Sequence, residues 1–283
     1  MKPTIDLGDR RVQALIGEFN KRAVAAYEAA TTLDEAIQPI YAVLPTSERP
    51  TQIGSCVLVT IRDQVFVLSA SHVFEPIGQY AVLVACGRKL HPLTGDRFSS
   101  ARGPSGSHQD DPVDASVLHI TCNVPDEIRS AALTVDQCDG ELATSSERVF
   151  VLSGYRASKS KSSSAGLTSQ RERFPSIEWK EADYVRHGLD RNRQVALLYE
   201  EQVLVAMKWQ TPPRLRGMSG GAILRIAGLT VDPRMTPSRA LEAKLTAIMI
   251  EQRPREKNRL PVLIGTRIGV HFGLIQQYLP ELL

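Results

Sequence analysis

The chain has 283 residues, 42% of them apolar and 23% charged. That is enough apolar material for one large core or two modest ones, and it excludes both a disulfide-stapled miniprotein and a disordered chain. The 34 Lys and Arg residues stand against 31 Asp and Glu, and a net charge of +3 gives no electrostatic case for nucleic acid as a partner.

Apolar residues at Val12, Leu15, Ile16, Phe19, Ala23, Ala26 and Tyr27 repeat at helical spacing and predict an amphipathic helix from about Asp9 to Ala30. Two uses fit it: packing one face on the body of the protein, or docking to a dedicated partner protein or second subunit. Thr32-Leu33-Asp34-Glu35 opens like a capping box, so a second short helix is expected to end before Pro39. After Pro50 the texture changes to strands. Gln52 to Ile61 and Gln64 to Ser69 are short β-branched runs separated by Arg62-Asp63, as expected for a hairpin or tight connection, and further strand-like runs lie at Tyr80–Cys86, Ala115–Thr121, Arg148–Leu152, Val195–Met207, Gly221–Ile226, Leu245–Glu251 and Val262–Val270. Many short strands divided by Gly, Pro and polar turns predict an all-β antiparallel architecture without βαβ units. Thr94–Pro112 and the Ser- and Lys-rich Ala157–Arg173 are too poor in apolar residues to offset their own ordering entropy and are expected to be mobile surface loops. Phe272–Leu279 has helical spacing and should close the fold as a short helix.

Cys56, Cys86, Cys122 and Cys138 are far apart and include no C-x-x-C pair, so neither a zinc site nor a redox pair is spelled out. No segment approaches the ~20 apolar residues that cross a bilayer, and the first residues do not read as a signal peptide. A cytoplasmic protein, off the membrane, is expected.

Three separated segments carry chemistry. In Arg216-Gly217-Met218-Ser219-Gly220-Gly221, glycines surround one serine ahead of an apolar strand. A serine that attacks a carbonyl needs an exposed hydroxyl and nearby backbone N–H groups for the developing oxyanion, and glycine permits both, although such a cluster also suits a plain turn. Val65-Phe66-Val67-Leu68-Ser69-Ala70-Ser71-His72 is a strand running into small residues and a histidine, the natural general base at neutral pH or else a structural histidine. In Asp114-Ala115-Ser116-Val117-Leu118 an acid stands at the entry of a strand, where it is able to orient an imidazole. Asp110 and Asp111 are its rivals, but only Asp114 abuts the strand.

Taken in the order His, Asp, Ser, these segments resemble the trypsin-like (chymotrypsin-fold) serine proteases of the bacterial cytosolic type. Leu68-Ser-Ala-Ser-His72 is similar to that family's Thr-Ala-Ala-His, Asp114-Ala-Ser-Val-Leu118 to its Asp-x-Ala-x-Leu, and Gly217-Met-Ser-Gly-Gly221 to its Gly-Asp-Ser-Gly-Gly. The resemblance spans about Ile53 to Leu279 and includes Gly54-Ser55, while the first 50 residues have no counterpart. It implies two six-stranded antiparallel β-barrels, residues 51–140 carrying His and Asp and 141–283 carrying Ser, behind a helical extension over 1–50. It further implies a serine endopeptidase in which Ser219 attacks, His72 shuttles the proton, Asp114 orients His72, and the N–H groups of Gly217 and Ser219 bind the oxyanion, with no metal or organic cofactor and a protein or peptide as substrate.

Where the chain departs from the family pattern, consequences follow. Met218 replaces the family's Asp before the nucleophile, so the salt bridge to a newly cut N-terminus cannot form. Val73 replaces the cysteine common after the histidine in secreted members, which leaves Cys56 without that partner. Pro213 holds the position, six residues ahead of Ser219, that lies at the base of the family's primary specificity pocket. Ile250, Glu251 and Gln252 fall in the segment that lines it, and Glu251 would favour a cation if it faced inward. A small or apolar residue before the cut bond is expected. Two alternatives are a catalytically silent trypsin-like module that binds or regulates, and a serine esterase, whose Gly-x-Ser-x-Gly elbow needs a parallel sheet that the strand pattern does not offer.

Overall fold

The computed structural model describes residues 6–43, 49–75, 81–121, 123–139, 149–163, 166–200, 203–205, 208–230, 232, 236–238, 240–256 and 260–282. Helix α1 (Arg10–Ala30) begins where Asp9, in extended geometry, accepts hydrogen bonds from the N–H groups of Arg11 (2.6 Å) and Val12 (3.4 Å). Its second half is seated on the protein: Ala26 and Ala30 are buried, and Arg22 donates to the Thr230 and Asp232 carbonyls. Its first half is not seated, since Leu15 and Phe19 stay 47% and 49% exposed.

A 3-10 turn (Thr31–Ala36) leads directly into β1 (Ile37–Ala42). Pro39 is tolerated in this strand because β4 pairs only with Ile40, Tyr41 and Ala42, so its missing N–H breaks no bond on that side. The chain continues through β2 (Thr51–Ile61), β3 (Gln64–Ala70), α2 (Ser71–Phe74), β4 (Val82–Cys86), β5 (Lys89–Pro92), β6 (Asp96–Ser99) and β7 (Ala115–Ile120). These strands form one antiparallel sheet in the order β5-β4-β1-β2-β3-β7-β6. The β2–β3 hairpin turns on Arg62 and Asp63, both with positive φ (44° and 66°), as a two-residue turn that follows the strand twist requires.

After α3 (Asp126–Ala131) come β8 (Val149–Tyr155), the small ladder β9 (Lys161–Ser163) and β10 (Gly166–Thr168), β11 (Arg171–Ile177), α4 (Glu181–His187) and β12 (Gln194–Leu198). A second small ladder, β13 (Val203–Val205) with β14 (Lys208–Gln210), precedes β15 (Ala222–Ala227), β16 (Glu242–Arg253), β17 (Val262–Arg267) and α5 (Ile268–Tyr278). The second large sheet is antiparallel, in the order β11-β8-β15-β16-β17-β12.

The central strands of both sheets are buried on both faces and read as nearly continuous apolar runs, while the outer β5, β6 and β11 are partly exposed. In β2, Val57, Val59 and Ile61 belong to a core shared with Val151, Leu224 and Leu245 of the second sheet and with Ala26 of α1 and Ile268 of α5. Cys56 and Leu58, of opposite parity, belong to a core with Val67, Val84 and Leu118. A third cluster holds Phe150, Leu152, Ile223, Ala247 and Leu263. Burying each such side chain contributes about 1.5–3 kcal/mol.

The structure corrects several expectations. The first sheet has seven strands, not six, because β1 lies inside the stretch read as a helical extension and fills the space between β2 and β4. Thr94–Pro112 is no bare loop: it holds β6 and a 3-10 turn at His108–Asp110, and Phe98 stacks on Tyr278 of α5 with ring centroids 4.5 Å apart. Ala157–Arg173 contains β9, β10 and the start of β11, with Glu172 paired to Arg156 and Asp34 to Arg171 and Arg173. Ion pairs and a ring stack supply here what low apolar content cannot. Val195–Met207 splits into β12 and β13, and the last strand stops at Arg267, where α5 begins. Tyr80, Cys122, Arg148, residues 201–202, residues 206–207 and Val231 lie outside the described residues. Among the described residues, no helix is long and apolar enough to cross a membrane.

Candidate active site

β3 and β7 pair with Ala70 opposite Ala115. The residues just past that rung therefore meet. The Ser71 N–H donates to the Asp114 carbonyl (3.1 Å), and the Ser71 hydroxyl to the Ala115 carbonyl (2.6 Å). The His72 N–H donates to Asp114 Oδ1 (2.9 Å), and His72 Nδ1 lies 2.5 Å from Asp114 Oδ2. Both carboxylate oxygens are thus engaged by one residue, and a proton on Nδ1 leaves Nε2 with its lone pair, the tautomer a general base needs. The Asp114 side chain is 6% exposed and that of His72 28%, so the acid is enclosed and the imidazole faces open space. Burial raises the Asp114 pKa above the ordinary carboxylate range; the bonds from His72 oppose the rise and the nearby Asp111 charge adds to it. Asp114 has φ +46°, a left-handed backbone held in place by the bonds around it.

Ser219 arrives from the other sheet, on the turn before β15. β2 begins pairing with β3 only at Val57, so the Ser55 N–H on that edge is free to donate to the Ser219 carbonyl (2.8 Å). The next residue is wedged against the same place. A Cβ on Gly220, which has φ +85°, would stand 1.9 Å from the Ser55 carbonyl oxygen and 2.2 Å from Ser69 Oγ. Ser69 lies three residues before His72 on the same strand end. A Cβ on Gly54 would touch Val73, beside His72, at 2.6 Å and the Ser219 carbonyl at 3.1 Å. The Ser219 turn is therefore seated on the strand end that carries the histidine.

The turn itself is tightly held: Met218 N–H donates to the Leu215 carbonyl (3.0 Å), Gly221 N–H to Met218 (2.8 Å) and Gly220 N–H to Met249 (2.8 Å). Met218 is fully buried in the core of the second sheet, which suits an apolar residue at the position where the family has Asp. Gly217 has φ +91°. Among the described residues, neither the Gly217 N–H nor the Ser219 N–H donates to an acceptor. Backbone donors without an acceptor beside a serine are the kind of group a developing negative oxygen would use. The Ser219 hydroxyl forms no hydrogen bond among the described residues, His72 included; catalytic bonds are often loose without substrate.

The expected specificity residues are differently placed. Pro213 accepts a hydrogen bond from the Tyr199 hydroxyl and lines a cavity of about 740 Å³ between α1 and the second sheet, with Phe19, Tyr27, Phe174 and Leu263. None of His72, Asp114 or Ser219 lines that cavity. Ile250 sits at a bulge in β16 with its side chain buried in the core that holds Trp179 and Val262, which leaves only its backbone for a substrate to meet. Glu251 pairs with Arg253 on its own strand at 2.7 Å, so its charge is already engaged. Gln252 accepts from the Leu215 N–H at 2.9 Å and braces the segment leading to Gly217.

Sequence reading missed the buried serines that join these parts. Ser55 and Ser69 are fully buried and Ser71 is 2% exposed, and small polar residues in otherwise apolar strands were the available signal. No family model and no curated protein matches the chain.

Proposed function

We propose that the chain is a trypsin-like serine endopeptidase acting through Ser219, His72 and Asp114. The observation that carries this reading is the convergence of an Asp114-oriented imidazole and a serine turn with two open N–H donors on one strand end. In the mechanism it supports, Ser219 Oγ attacks the peptide carbonyl while His72 Nε2 takes its proton. The oxyanion is met by Gly217 and Ser219 N–H, and His72 then gives the proton to the leaving amine. Water repeats the cycle on the acyl-enzyme. Asp114, already bonded to Nδ1, stabilises the imidazolium without moving. Each open donor is worth about 3 kcal/mol in the transition state. The two antiparallel sheets support the double-barrel plan of that family, with β1 as an added strand, and the free thiols of Cys56, Cys86 and Cys138 support a reducing cytoplasm.

The unformed bond between Ser219 and His72 favours a second reading, a silent module that binds a partner through the same cleft. A fluorophosphonate probe separates the two. Labelling of the folded wild type, lost in Ser219→Ala and strongly slowed in His72→Ala, is expected. Failure of folded wild type to label would leave only the silent module.

A further inference from the structure

Behind Asp114 lies a second buried acid. The Asp111 side chain is 3% exposed, and its neighbour His108 approaches it at 3.4 Å through Nδ1. Asp111 Oδ1 accepts from the Val113 N–H (2.8 Å), the residue before Asp114. Its Oδ2 accepts from Ser100 Oγ (2.5 Å), and Ser100 Oγ in turn accepts from the Ala115 N–H (2.9 Å), the residue after. One carboxylate thus reaches the N–H groups on both flanks of Asp114, that of Val113 directly and that of Ala115 through Ser100. The carbonyls of the same stretch are held from elsewhere: Pro112 by Gln194 (2.8 Å), Val113 by Thr266, and Asp114 by the Ser71 N–H (3.1 Å). A non-glycine residue at φ +46° persists only where its surroundings over-determine it, and Asp111 together with the Ser100 hydroxyl that bonds to it supplies the acceptors of that frame. Asp110 plays no part in it: its carboxylate is taken by Ser105 in the exposed loop.

We infer that Asp111 is a positioning residue, which through Val113 and Ser100 fixes the Asp114 carboxylate against His72. Its action on chemistry rests on the protease reading, so the test has one arm that does not.

In Asp111→Ala the Val113 N–H loses its acceptor and Ser100 Oγ, which accepts from the Ala115 N–H, loses the carboxylate that holds it in place, and the saturating rate of fluorophosphonate inactivation is expected to fall about 10- to 100-fold with probe affinity unchanged. Asp111→Asn keeps an oxygen for the Val113 N–H and should recover part of the rate, which a loss of general stability would not produce. The independent arm is proton NMR of the His72 Nδ1–H in the bond to Asp114: this resonance should broaden or vanish in Asp111→Ala and persist in Asp111→Asn. An unchanged resonance in Asp111→Ala overturns the inference whether or not the protein labels. Labelled wild type with an equally fast Asp111→Ala overturns it too. Should Asp111→Ala not fold, Ser100→Ala, which cuts only the Ala115 arm, carries both readouts, and wild-type behaviour there is equally fatal.

Discussion

Gly220→Ala tests the seating of the nucleophile's turn. The new methyl would meet the Ser55 carbonyl oxygen at 1.9 Å and Ser69 Oγ at 2.2 Å, and φ +85° is a backbone region that an L-residue with a side chain rarely adopts. Left-handed geometry alone costs about 1–2 kcal/mol. Relieving the clash means lifting the turn off β2, and three hydrogen bonds go with it: Ser55 N–H to Ser219, Ser69 Oγ to Ser55, and Gly220 N–H to Met249. At about 0.5–1.5 kcal/mol each, the total destabilisation is about 4 kcal/mol. Gly188→Ala is the internal control. That glycine ends α4 at φ +66° with nothing within 4 Å of its would-be Cβ, so the substitution isolates backbone strain and should cost about 1 kcal/mol. Urea unfolding of both variants gives the difference, and fluorophosphonate inactivation gives its effect on Ser219. Equal losses in the two variants, or a Gly220→Ala protein that labels at the wild-type rate, would show that the turn is not wedged between Ser55 and Ser69.

Two further outcomes are expected. His271 is fully buried in α5, with Nε2 3.3 Å from the Ser69 carbonyl, and burial pushes its pKa down to about 4. The unfolded chain binds the proton first, so stability is full above about pH 6.5 and falls by about 3 kcal/mol as pH drops through 4; urea unfolding across that range should show this, and His271→Gln should flatten it. Cleavage is expected after small or apolar residues, because Glu251, the acid of the segment expected to line the pocket, is engaged by Arg253. A peptide library cut only after Arg or Lys refutes this.

How much was legible in the sequence follows from what each signal depends on. The hairpin at Arg62-Asp63, α1 from about Asp9, and the strands that run up to His72 and onward from Asp114 are local patterns, and the structure has them within a residue or two. β1 was hidden because Pro39 argues against a strand, and only its position beside the short β4 pairing makes it harmless. β6 and β11 were hidden because long-range partners stabilise them: Phe98 needs Tyr278, and Arg171 and Arg173 need Asp34. In the site, the three side chains with distinctive chemistry were legible, whereas Ser55, Ser69 and Asp111 look like filler or a rival until tertiary contacts give them work. The apolar stripe of α1 gave a true helix and a misleading burial, since periodicity reports a face and not what covers it.

Apolar packing between the two sheets is strong but non-directional, and by itself it would let one sheet slide on the other by a fraction of a residue at little cost. Catalytic geometry tolerates no such freedom, since a misplacement of about 1 Å costs around 100-fold in rate. Directional bonds remove it at this seam. Ser55 commits every polar group it has there: its N–H to Ser219, its carbonyl to Ser69 Oγ, and its hydroxyl both to the Gly217 carbonyl (3.1 Å) and from the Tyr155 N–H (3.0 Å). Thr266 and Gln194 do the same from the second sheet toward Val113 and Pro112. The hydrophobic layer therefore sets how firmly the halves adhere, while a few buried hydroxyls and amides set their register, and it is on that register that the proposed approach of Ser219 to His72 depends.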